Sequence, residues 1–172
     1  MDTGSIAYQE RFPIEITDTG LTVNMRCIRV GVPLVVQLVD TSARDPAQIP
    51  AVEQDLSLRS FFGAQIPQGG HLSWNLPAAS VNDFVRACDF SPLTSPWGHP
   101  TAEIAGRELD IVRLSPTGWP ADRPAGTTRL SEDGYLFVAC TDEWVRVETV
   151  IDRGVQLSAV EAFESRRGES NP

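Results

Sequence analysis

One stretch decides the organisation of the chain, His71-Leu72-Ser73-Trp74-Asn75-Leu76-Pro77-Ala78-Ala79-Ser80-Val81-Asn82-Asp83-Phe84-Val85-Arg86-Ala87. Leu72 and Trp74 alternate with polar neighbours, which is the period of a β-strand. Pro77 suits the first turn of a helix, where its missing N–H is not needed. Ser80 and Asp83 have the spacing of a capping box, but with Asp in place of Glu at the third position, which leaves the capping residue open. The helix carries apolar residues at helical spacing, namely Ala78, Val81, Val85 and Cys88, with Phe84 beside them. The stretch therefore predicts a short strand and a packing helix that join two bodies.

The sequence before this stretch predicts mixed α/β structure. Residues 6–16 are typical of an extended segment, and Asp18-Thr19 offers a helix start. Gly31 is expected to end that helix. Pro33 is expected to begin a second, shorter helix over residues 34–39. A loop follows, and its few apolar residues show little periodicity.

The sequence after this stretch predicts mostly β structure with a closing helix. Asp133-Gly134 is a strong hairpin signal, and alternating apolar residues surround it. Ser158 and Glu161 have the spacing of a capping box, which predicts a helix over residues 159–165. Five strands are predicted, over residues 101–105, 108–114, 127–130, 135–140 and 144–151. Short strands joined by hairpin turns favour a small barrel or a curled sheet.

Composition excludes several classes of function. The chain has 172 residues and a net charge of −9, from 14 basic and 23 acidic residues. All the basic residues are arginine, so neither a lysine Schiff base nor a P-loop lysine is possible. The sequence lacks the excess of basic residues that is typical of a strong nucleic-acid binder. It leaves open whether some of the arginines cluster in a local patch. We find no apolar run of transmembrane length and no signal peptide, so we expect a cytoplasmic protein without membrane contact.

The cysteines and histidines give no metal or catalytic pattern. Cys27, Cys88 and Cys140 are far apart and each lies in an apolar setting, so reduced core cysteines are expected. His71 and His99 are the only histidines, and neither lies in a cluster with ligand spacing. The sequence therefore predicts no metal site.

Several stretches together resemble the 10-formyltetrahydrofolate-dependent formyltransferases, the family of methionyl-tRNA formyltransferase. Their order and spacing carry the resemblance, which covers most of residues 1–165. The matching stretches are Met1-Asp2-Thr3-Gly4-Ser5-Ile6, Phe12-Pro13-Ile14, Asp18-Thr19-Gly20-Leu21-Thr22, Leu72-Ser73-Trp74, Pro77-Ala78-Ala79, Phe84-Val85-Arg86-Ala87, Pro124-Ala125-Gly126-Thr127, Asp133-Gly134 and Leu157-Ser158-Ala159.

The resemblance implies a fold and a division of the chain. It implies that residues 1–70 are the remnant of a Rossmann-like α/β catalytic domain. Residues 71–168 would then form the C-terminal domain, a joint helix and a small OB-like β-barrel with a closing helix. Residues 169–172 would be a tail. Catalysis in the family uses an Asn, a His and an Asp, and only the Asp has a counterpart here, at Asp2. The other two residues and the folate pocket would lie before Met1, so no folate-contacting residue is assigned.

The resemblance also implies a reaction, the transfer of a formyl group from 10-formyltetrahydrofolate to a primary amine. The amine could belong to methionyl-tRNA or to a small or carrier-bound molecule such as an amino sugar. The acidic C-terminal part weakens the hypothesis that the acceptor is methionyl-tRNA, and it makes nucleic acid a doubtful partner. We expect the chain to be inactive without a missing N-terminal half, so whether it is an enzyme by itself stays open. The alternatives are a non-catalytic module that binds a substrate or partner, and a degenerate product that folds poorly.

Overall fold

The computed structural model describes residues 3–61, 63 and 65–169, with side chains up to residue 165. Contacts divide the chain into two units, residues 1–64 (unit 1) and residues 65–172 (unit 2). The predicted boundary between the catalytic-domain remnant (residues 1–70) and the C-terminal domain (residues 71–168) stays a prediction. The predicted tail over residues 169–172 stays a prediction as well.

Unit 1 is built around one long helix, α1 (Gly20–Arg44). Thr19 caps it: the hydroxyl of Thr19 accepts from the N–H of Thr22 at 3.3 Å, and the N–H of Thr19 donates to Oγ1 of Thr22 at 2.8 Å. The predicted break at Gly31 and Pro33 is wrong, because α1 runs through both residues. A glycine ends a helix by taking a positive φ, and Gly31 does not. Pro33 removes one hydrogen bond, which a helix of this length tolerates.

The segment before α1 is tied to it and to the loop that follows. Ile6 and Val52 form one antiparallel bridge, with N–H···O distances of 2.8 and 3.0 Å. Asp18 is buried and receives both terminal nitrogens of Arg26 at 2.8 Å. The extended segment predicted over residues 6–16 therefore makes a single bridge and, within the described part of unit 1, no strand. Two 3₁₀ turns follow α1, at Pro46–Gln48 and Leu56–Leu58.

Helix α1 is long and apolar enough to cross a membrane, judged by length and composition. Its most apolar window has a mean hydropathy of 1.3. This corrects the expectation that the chain lacks such a run, because the predicted break had divided one helix into two. Core helices of water-soluble proteins pass the same test, so length and composition alone do not assign α1 to a membrane.

Unit 2 is a curled antiparallel sheet covered by two helices. The sheet has the order β1-β2-β5-β4-β3, with β6 also paired to β5. Its register shifts between β2 and β5 are the irregularities that bend a sheet. The elements are α2 (Ala78–Cys88), β1 (Thr101–Ile104), β2 (Arg107–Pro120), β3 (Thr128–Leu130), β4 (Leu136–Ala139), β5 (Glu143–Asp152), β6 (Val155–Ser158) and α3 (Ala159–Glu169). The predicted curled sheet of five strands is confirmed, and β6 is a sixth strand that the sequence did not predict.

The main core of unit 2 lies between the inner face of this sheet and the helices. Its most deeply buried side chains come from the strands and from α2, and include Val81, Ile111, Leu136, Val138, Val145 and Val150. Strand β4 is buried on both faces, since Phe137 and Ala139 form a second small cluster with Trp144 on the outer face. The outer face of the sheet therefore carries a small packed cluster of its own.

The stretch that begins at His71 packs onto this core without forming the predicted strand. His71 makes one parallel bridge to Thr101, and no strand is assigned to this segment. Leu72 and Trp74 are nevertheless buried, and Nε1 of Trp74 donates to the carbonyl of Glu103 at 2.8 Å. The apolar positions predicted for the helix, Ala78, Val81, Val85 and Cys88, are the four buried residues of α2.

Both helix starts of unit 2 are capped, but from different places. The N–H of Ala78 donates to the carboxylate of Asp142 at 2.8 Å, so α2 is capped from a turn 64 residues away. Ser80 and Asp83 lie inside α2 and do not cap it. At α3 the predicted capping box is confirmed, since Glu161 Oε2 accepts from the N–H of Ser158 at 3.0 Å and the N–H of Glu161 donates to the Ser158 hydroxyl at 3.2 Å.

Candidate functional site

The predicted catalytic residue Asp2 lies outside the described residues. The other titratable candidates do not assemble into a catalytic cluster. His71 is exposed, with Nδ1 3.0 Å from Oγ1 of Thr101 and 3.9 Å from a carboxylate oxygen of Glu108. Nδ1 of His99 is buried and has no hydrogen-bond partner in the part of the chain that the structure describes. In that same part, no three His, Cys, Asp or Glu side chains come together as metal ligands would.

The three cysteines are free thiols with different surroundings. Cys88 and Cys140 are buried, as predicted, whereas Cys27 on α1 is exposed and corrects the prediction for that residue. Burial raises the pKa of Cys88. Burial, with a smaller effect from the nearby charges of Asp142 and Glu143, raises the pKa of Cys140 to about 12. These two thiols stay protonated at neutral pH, so they pack and do not act as nucleophiles.

A row of four side-chain positions crosses the outer face of the sheet in unit 2. Arg129 on β3 lies opposite Phe137 on β4. Phe137 in turn lies opposite Arg146 on β5, and Arg146 lies opposite Ser115 on β2. Directly paired residues of adjacent strands place their side chains on the same face. The register thus puts an aromatic ring between two arginines.

This row forms part of a cavity of about 470 Å³, which we call the aromatic–arginine pocket. The volume lies in the range of about 300–1,000 Å³ that is usual for small-molecule sites. The pocket combines aromatic, basic and hydroxyl side chains. Its lining residues are Ser115, Pro116, Thr117, Trp119, Arg129, Ser131, Asp133, Tyr135, Phe137, Trp144 and Arg146.

The aromatic rings of the pocket divide into buried and exposed ones. Phe137 and Trp144 are buried and belong to the small outer cluster. Trp119 and Tyr135 are 57% and 48% exposed. The ring centroids of Trp119 and Phe137 are 5.4 Å apart with an interplanar angle of 40°. Two large rings thus present apolar surface to solvent beside a packed aromatic base.

Hydrogen bonds hold the end of β2 that carries Trp119. Oγ1 of Thr117 donates to the carbonyl of Trp144 at 2.6 Å and accepts from the N–H of Trp119 at 3.1 Å. Nε1 of Trp144 donates to a carboxylate oxygen of Asp122 at 3.2 Å. Trp119 is therefore exposed but positioned, because its backbone is fixed to the neighbouring strand.

The two arginines differ in how far their charge is already neutralised. Arg146 donates to Glu148 at 2.6 Å and its guanidinium lies 5.2 Å from the centroid of the Tyr135 ring. Burial alone would raise the pKa of Glu148, but hydrogen bonds from Arg146 and Ser115 and the charges of Arg146 and Arg113 outweigh it and lower that pKa. Arg129 is exposed and forms no ion pair with the described residues.

The chemistry available in the pocket is binding rather than catalysis. Aromatic faces stack on planar rings, and guanidinium groups bind carboxylates and phosphates. Its lining contains no cysteine and no histidine. Sequence reasoning missed the pocket, although a signal was present. Tyr135 and Phe137 alternate with the buried Leu136 and Val138, so period two already placed both rings on the other face.

A second surface, on unit 1, is an apolar stripe along α1. Its members recur at spacings of three and four and lie within an arc of about 100°. All are at least half exposed: Met25, Ile28, Val32, Val35, Val36 and Val39. Monomeric proteins rarely expose a contiguous apolar patch of this kind. The stripe therefore marks a surface that another protein segment or a lipid phase would cover.

Comparison with known families gives a match that coincides with unit 2. The family model "Formyl transferase, C-terminal domain" matches residues 66–167. The matched range contains α2, the whole curled sheet and most of α3.

Curated relatives match over almost the whole chain. The methionyl-tRNA formyltransferase of Pseudomonas putida GB-1 is 30% identical over 168 residues, which is 97% of this chain and 51% of the relative. That of Acidithiobacillus ferrooxidans is 26% identical over 154 residues, which is 90% of this chain and 47% of the relative. The chain thus spans about half the length of the curated relatives that it matches.

Solved structures with the same fold include HypX of Aquifex aeolicus. Its complex with tetrahydrofolic acid has a TM-score of 0.62 and 15% identity, covering 94% of this chain and 28% of HypX. A multiply substituted variant of the same protein has a TM-score of 0.63 at 15% identity, again covering 94% of this chain and 28% of HypX. At this identity the likeness concerns the fold alone.

Proposed function

Because the chain belongs to the formyl transferase family through its C-terminal domain, we propose that it takes part in transfer of a formyl group from 10-formyltetrahydrofolate to a primary amine. The family match over residues 66–167 carries this proposal. It is supported by relatives named methionyl-tRNA formyltransferase and by a structural neighbour, HypX, solved with tetrahydrofolic acid. The acceptor is methionyl-tRNA or a smaller amine such as an amino sugar, and the net charge of −9 favours the smaller one.

The reaction needs groups that the described residues do not bring together. An amine must attack the formyl carbon, a base must take the amine proton, and a donor must stabilise the oxyanion. In unit 2 the buried thiols are protonated, and His71 lies exposed beside Thr101. We therefore assign the chemistry to Asp2 acting with an Asn and a His, which would be supplied by the half of the relatives that this chain does not span. In that scheme Asp2 sets the charge state of the His.

The described residues do not by themselves form a site for the folate donor. One cavity of unit 1, about 700 Å³, is lined mostly by exposed side chains. Val52, Leu56, Leu58 and Phe61 are all more than half exposed there. A reduced folate needs an enclosed apolar slot with convergent polar groups. We therefore assign no step to these residues and propose that folate binds to the half of the relatives that this chain does not span.

The apolar stripe of α1 supports the need for a second half. We propose that unit 1 is the remnant of a Rossmann-like domain and that the stripe packs against the strands of that domain. Those strands would come from a preceding segment or from a separate chain. A protein cover of this kind also fits the cytoplasmic location predicted from the sequence and accounts for the length of α1 without a membrane.

A complementation assay tests the proposal. The chain is assayed with 10-formyltetrahydrofolate and either methionyl-tRNA or an amino sugar, alone and with the separately expressed first half of the Pseudomonas putida relative. We expect no formyl transfer from the chain alone and transfer after complementation. Robust turnover by the chain alone would contradict the need for a second half.

Two substitutions make the assay specific. Asp2→Asn should abolish the recovered turnover, whereas Glu10→Gln, an exposed carboxylate of the same unit, should leave it unchanged. Val32→Glu places a charge in the centre of the stripe and should prevent complementation. Equal loss with Glu10→Gln would show that the effects are not those of a catalytic position.

The alternative function is a non-catalytic binding module. The observation that favours it is the aromatic–arginine pocket, which lies in unit 2 and needs nothing from unit 1. If complementation gives no transfer with either acceptor while the pocket still binds a ligand, this alternative replaces the enzyme. An upstream coding sequence with the missing Asn and His would favour the enzyme instead.

A further inference from the structure

We propose that the aromatic–arginine pocket of unit 2 binds a small nucleotide, whose base stacks on Trp119 and Tyr135 and whose phosphates bind Arg129 and Arg146. The inference is independent of formyl transfer, because it rests on the outer face of the sheet and its test reads binding alone. The proposed ligand is a free nucleotide or a nucleotide-linked small molecule.

The aromatic side chains call for a planar ligand. Trp119 and Tyr135 are large, half-exposed rings on a sheet that already buries Phe137 and Trp144 beneath them. The exposed ring surface offers a place where a planar group can stack. Bases stack on aromatic side chains whatever their sequence, so the rings supply a large share of the binding.

The arginines call for an anion at the same place. Arg129 and Arg146 flank Phe137 in one cross-strand row. Both side chains line the pocket. Arg146 shares its charge with Glu148 at 2.6 Å, whereas Arg129 has no ion pair among the described residues. Guanidinium groups bind phosphate oxygens in a bidentate manner. Arg129 is therefore the main phosphate ligand, and Arg146 is the second.

Apolar ligands and aliphatic acids use only part of this surface. An apolar ligand would cover the rings but desolvate two arginines without a counter-charge. An aliphatic acid would bind the arginines but leave Trp119 uncovered. A nucleotide satisfies both sets of groups. The Ser131 hydroxyl lines the pocket and accepts from the N–H of Tyr135 at 3.0 Å, so its own O–H can donate to the sugar.

Charge favours a small nucleotide over a nucleic acid. The pocket lining carries Arg129, Arg146 and Asp133. Because Glu148 already pairs with Arg146, the positive charge that a ligand can use is mainly that of Arg129. The whole chain, in contrast, has a net charge of −9. Nucleic-acid binding draws on several phosphate contacts spread over a surface, and repulsion from the rest of the chain grows with each added phosphate. A ligand with one or two phosphates uses the local positive charge and avoids most of that repulsion.

The test measures binding to the whole chain by calorimetry, with adenosine 5′-diphosphate as the probe. Adenosine and inorganic pyrophosphate, each alone, serve as partial ligands. We expect adenosine 5′-diphosphate to bind more tightly than either part. Trp119→Ala should weaken that binding at least about fivefold, and Arg129→Gln about tenfold.

Matched controls separate the pocket from general effects. Trp97 is an exposed tryptophan and Arg153 an exposed arginine, and both lie outside the pocket lining. Trp97→Ala and Arg153→Gln should leave the affinity within twofold. Trp119→Phe keeps a ring at this position and should retain most of the binding, provided that thermal unfolding shows an intact fold for each variant.

Three results would overturn the proposal. The first is absence of binding at millimolar nucleotide. The second is loss of affinity that is equal for the pocket variants and their controls. The third is more than tenfold tighter binding of a single-stranded oligoribonucleotide, since that would assign the surface to RNA.

Discussion

Helix α1 of unit 1 and helix α2 of unit 2 are both amphipathic, yet they differ in what their apolar residues touch. Helix α1 has 25 residues and none of them is buried. Helix α2 has 11 residues and four of them are buried. The difference lies in the surroundings, because unit 2 supplies a six-stranded sheet and the described part of unit 1 supplies one bridge.

This contrast teaches that the two units have different requirements for stability. A helix gains most of its stability from packing of its apolar face rather than from propensity. Unit 2 meets this need internally, through a core shared by α2, α3 and the sheet. In unit 1, helix α1 keeps its start through the Thr19 capping box and the Asp18–Arg26 pair, while its stripe stays uncovered. The units should therefore respond differently to chemical probes and to substitutions.

Thiol labelling gives the largest expected difference between the units. Cys27 in unit 1 is exposed, whereas Cys88 and Cys140 in unit 2 are buried, with burial raising the pKa of each. Thiolates react and buried thiols do not. At pH 8 we expect one thiol per chain to react rapidly with a disulfide reagent, and the other two to react only in denaturant. Cys27→Ser should remove the fast phase. Fast labelling of all three thiols would contradict the burial of Cys88 and Cys140.

Truncation of a core residue should separate unit 2 from the exposed residues of unit 1. Leu136 is 0% exposed in the core of unit 2, whereas Leu58 in unit 1 is 79% exposed. Leu136→Ala should lower the free energy of unfolding by about 2–5 kcal/mol. Leu58→Ala should change it by about 0.5 kcal/mol or less. Urea denaturation followed by circular dichroism measures both, and similar losses would mean that Leu58 is covered in solution.

The sequence predicted much of unit 2 because its signals are local. The hairpin at Asp133-Gly134, the capping box at Ser158 and the spacing of Val81 and Val85 each lie within a few residues, and the structure confirms the elements that they predicted. The family resemblance reached the same unit by motif order, and the family match confirms it.

Two of the features that the sequence missed, the cap of α2 and the aromatic–arginine pocket, depend on distant contacts. The cap of α2 comes from Asp142, and no local pattern connects it to Ala78. Continuation of α1 through Pro33 is favoured by the long helix around it, which outweighs one missing hydrogen bond. The aromatic–arginine pocket needs the register of four strands, which alternation within one strand does not give. Asp2, the predicted catalytic residue, remains a prediction.

Substitution of Asp142 tests how much the start of α2 depends on a cap that is distant in sequence. The carboxylate of Asp142 accepts from the N–H groups of Ala78 and Glu143, at 2.8 and 2.9 Å. Asp142→Ala leaves the first turn of α2 without a side-chain cap and should lower the free energy of unfolding by about 1 kcal/mol. Asp142→Asn keeps an acceptor and should recover most of the loss. No change with Asp142→Ala would show that solvent replaces the cap.

Acid titration gives the smallest expected effect and probes one carboxylate in each unit. The backbone N–H of Glu15, with further hydrogen bonds from Arg26 and Thr22, outweighs burial and lowers the pKa of Asp18 in unit 1. The pKa of Glu148 in unit 2 is also lowered, since Arg146 and Ser115 outweigh the effect of burial. A carboxylate with a lowered pKa stabilises the fold above its unfolded pKa. Its contribution is lost as the pH falls through the folded value.

The ordinary pKa values are 3.8 for Asp18 and 4.5 for Glu148, so both contributions are present at pH 7 and fade below these values. For Glu148→Gln we expect a loss of about 1 kcal/mol or less at pH 7, read from urea denaturation, that shrinks as the pH falls below 4.5. For Asp18→Asn we expect the local change in unit 1, read as faster proteolysis near the start of α1, with the sheet of unit 2 unaffected. A loss that stays constant from pH 7 to pH 3 would show that the side chains act through packing, because packing does not titrate in this range.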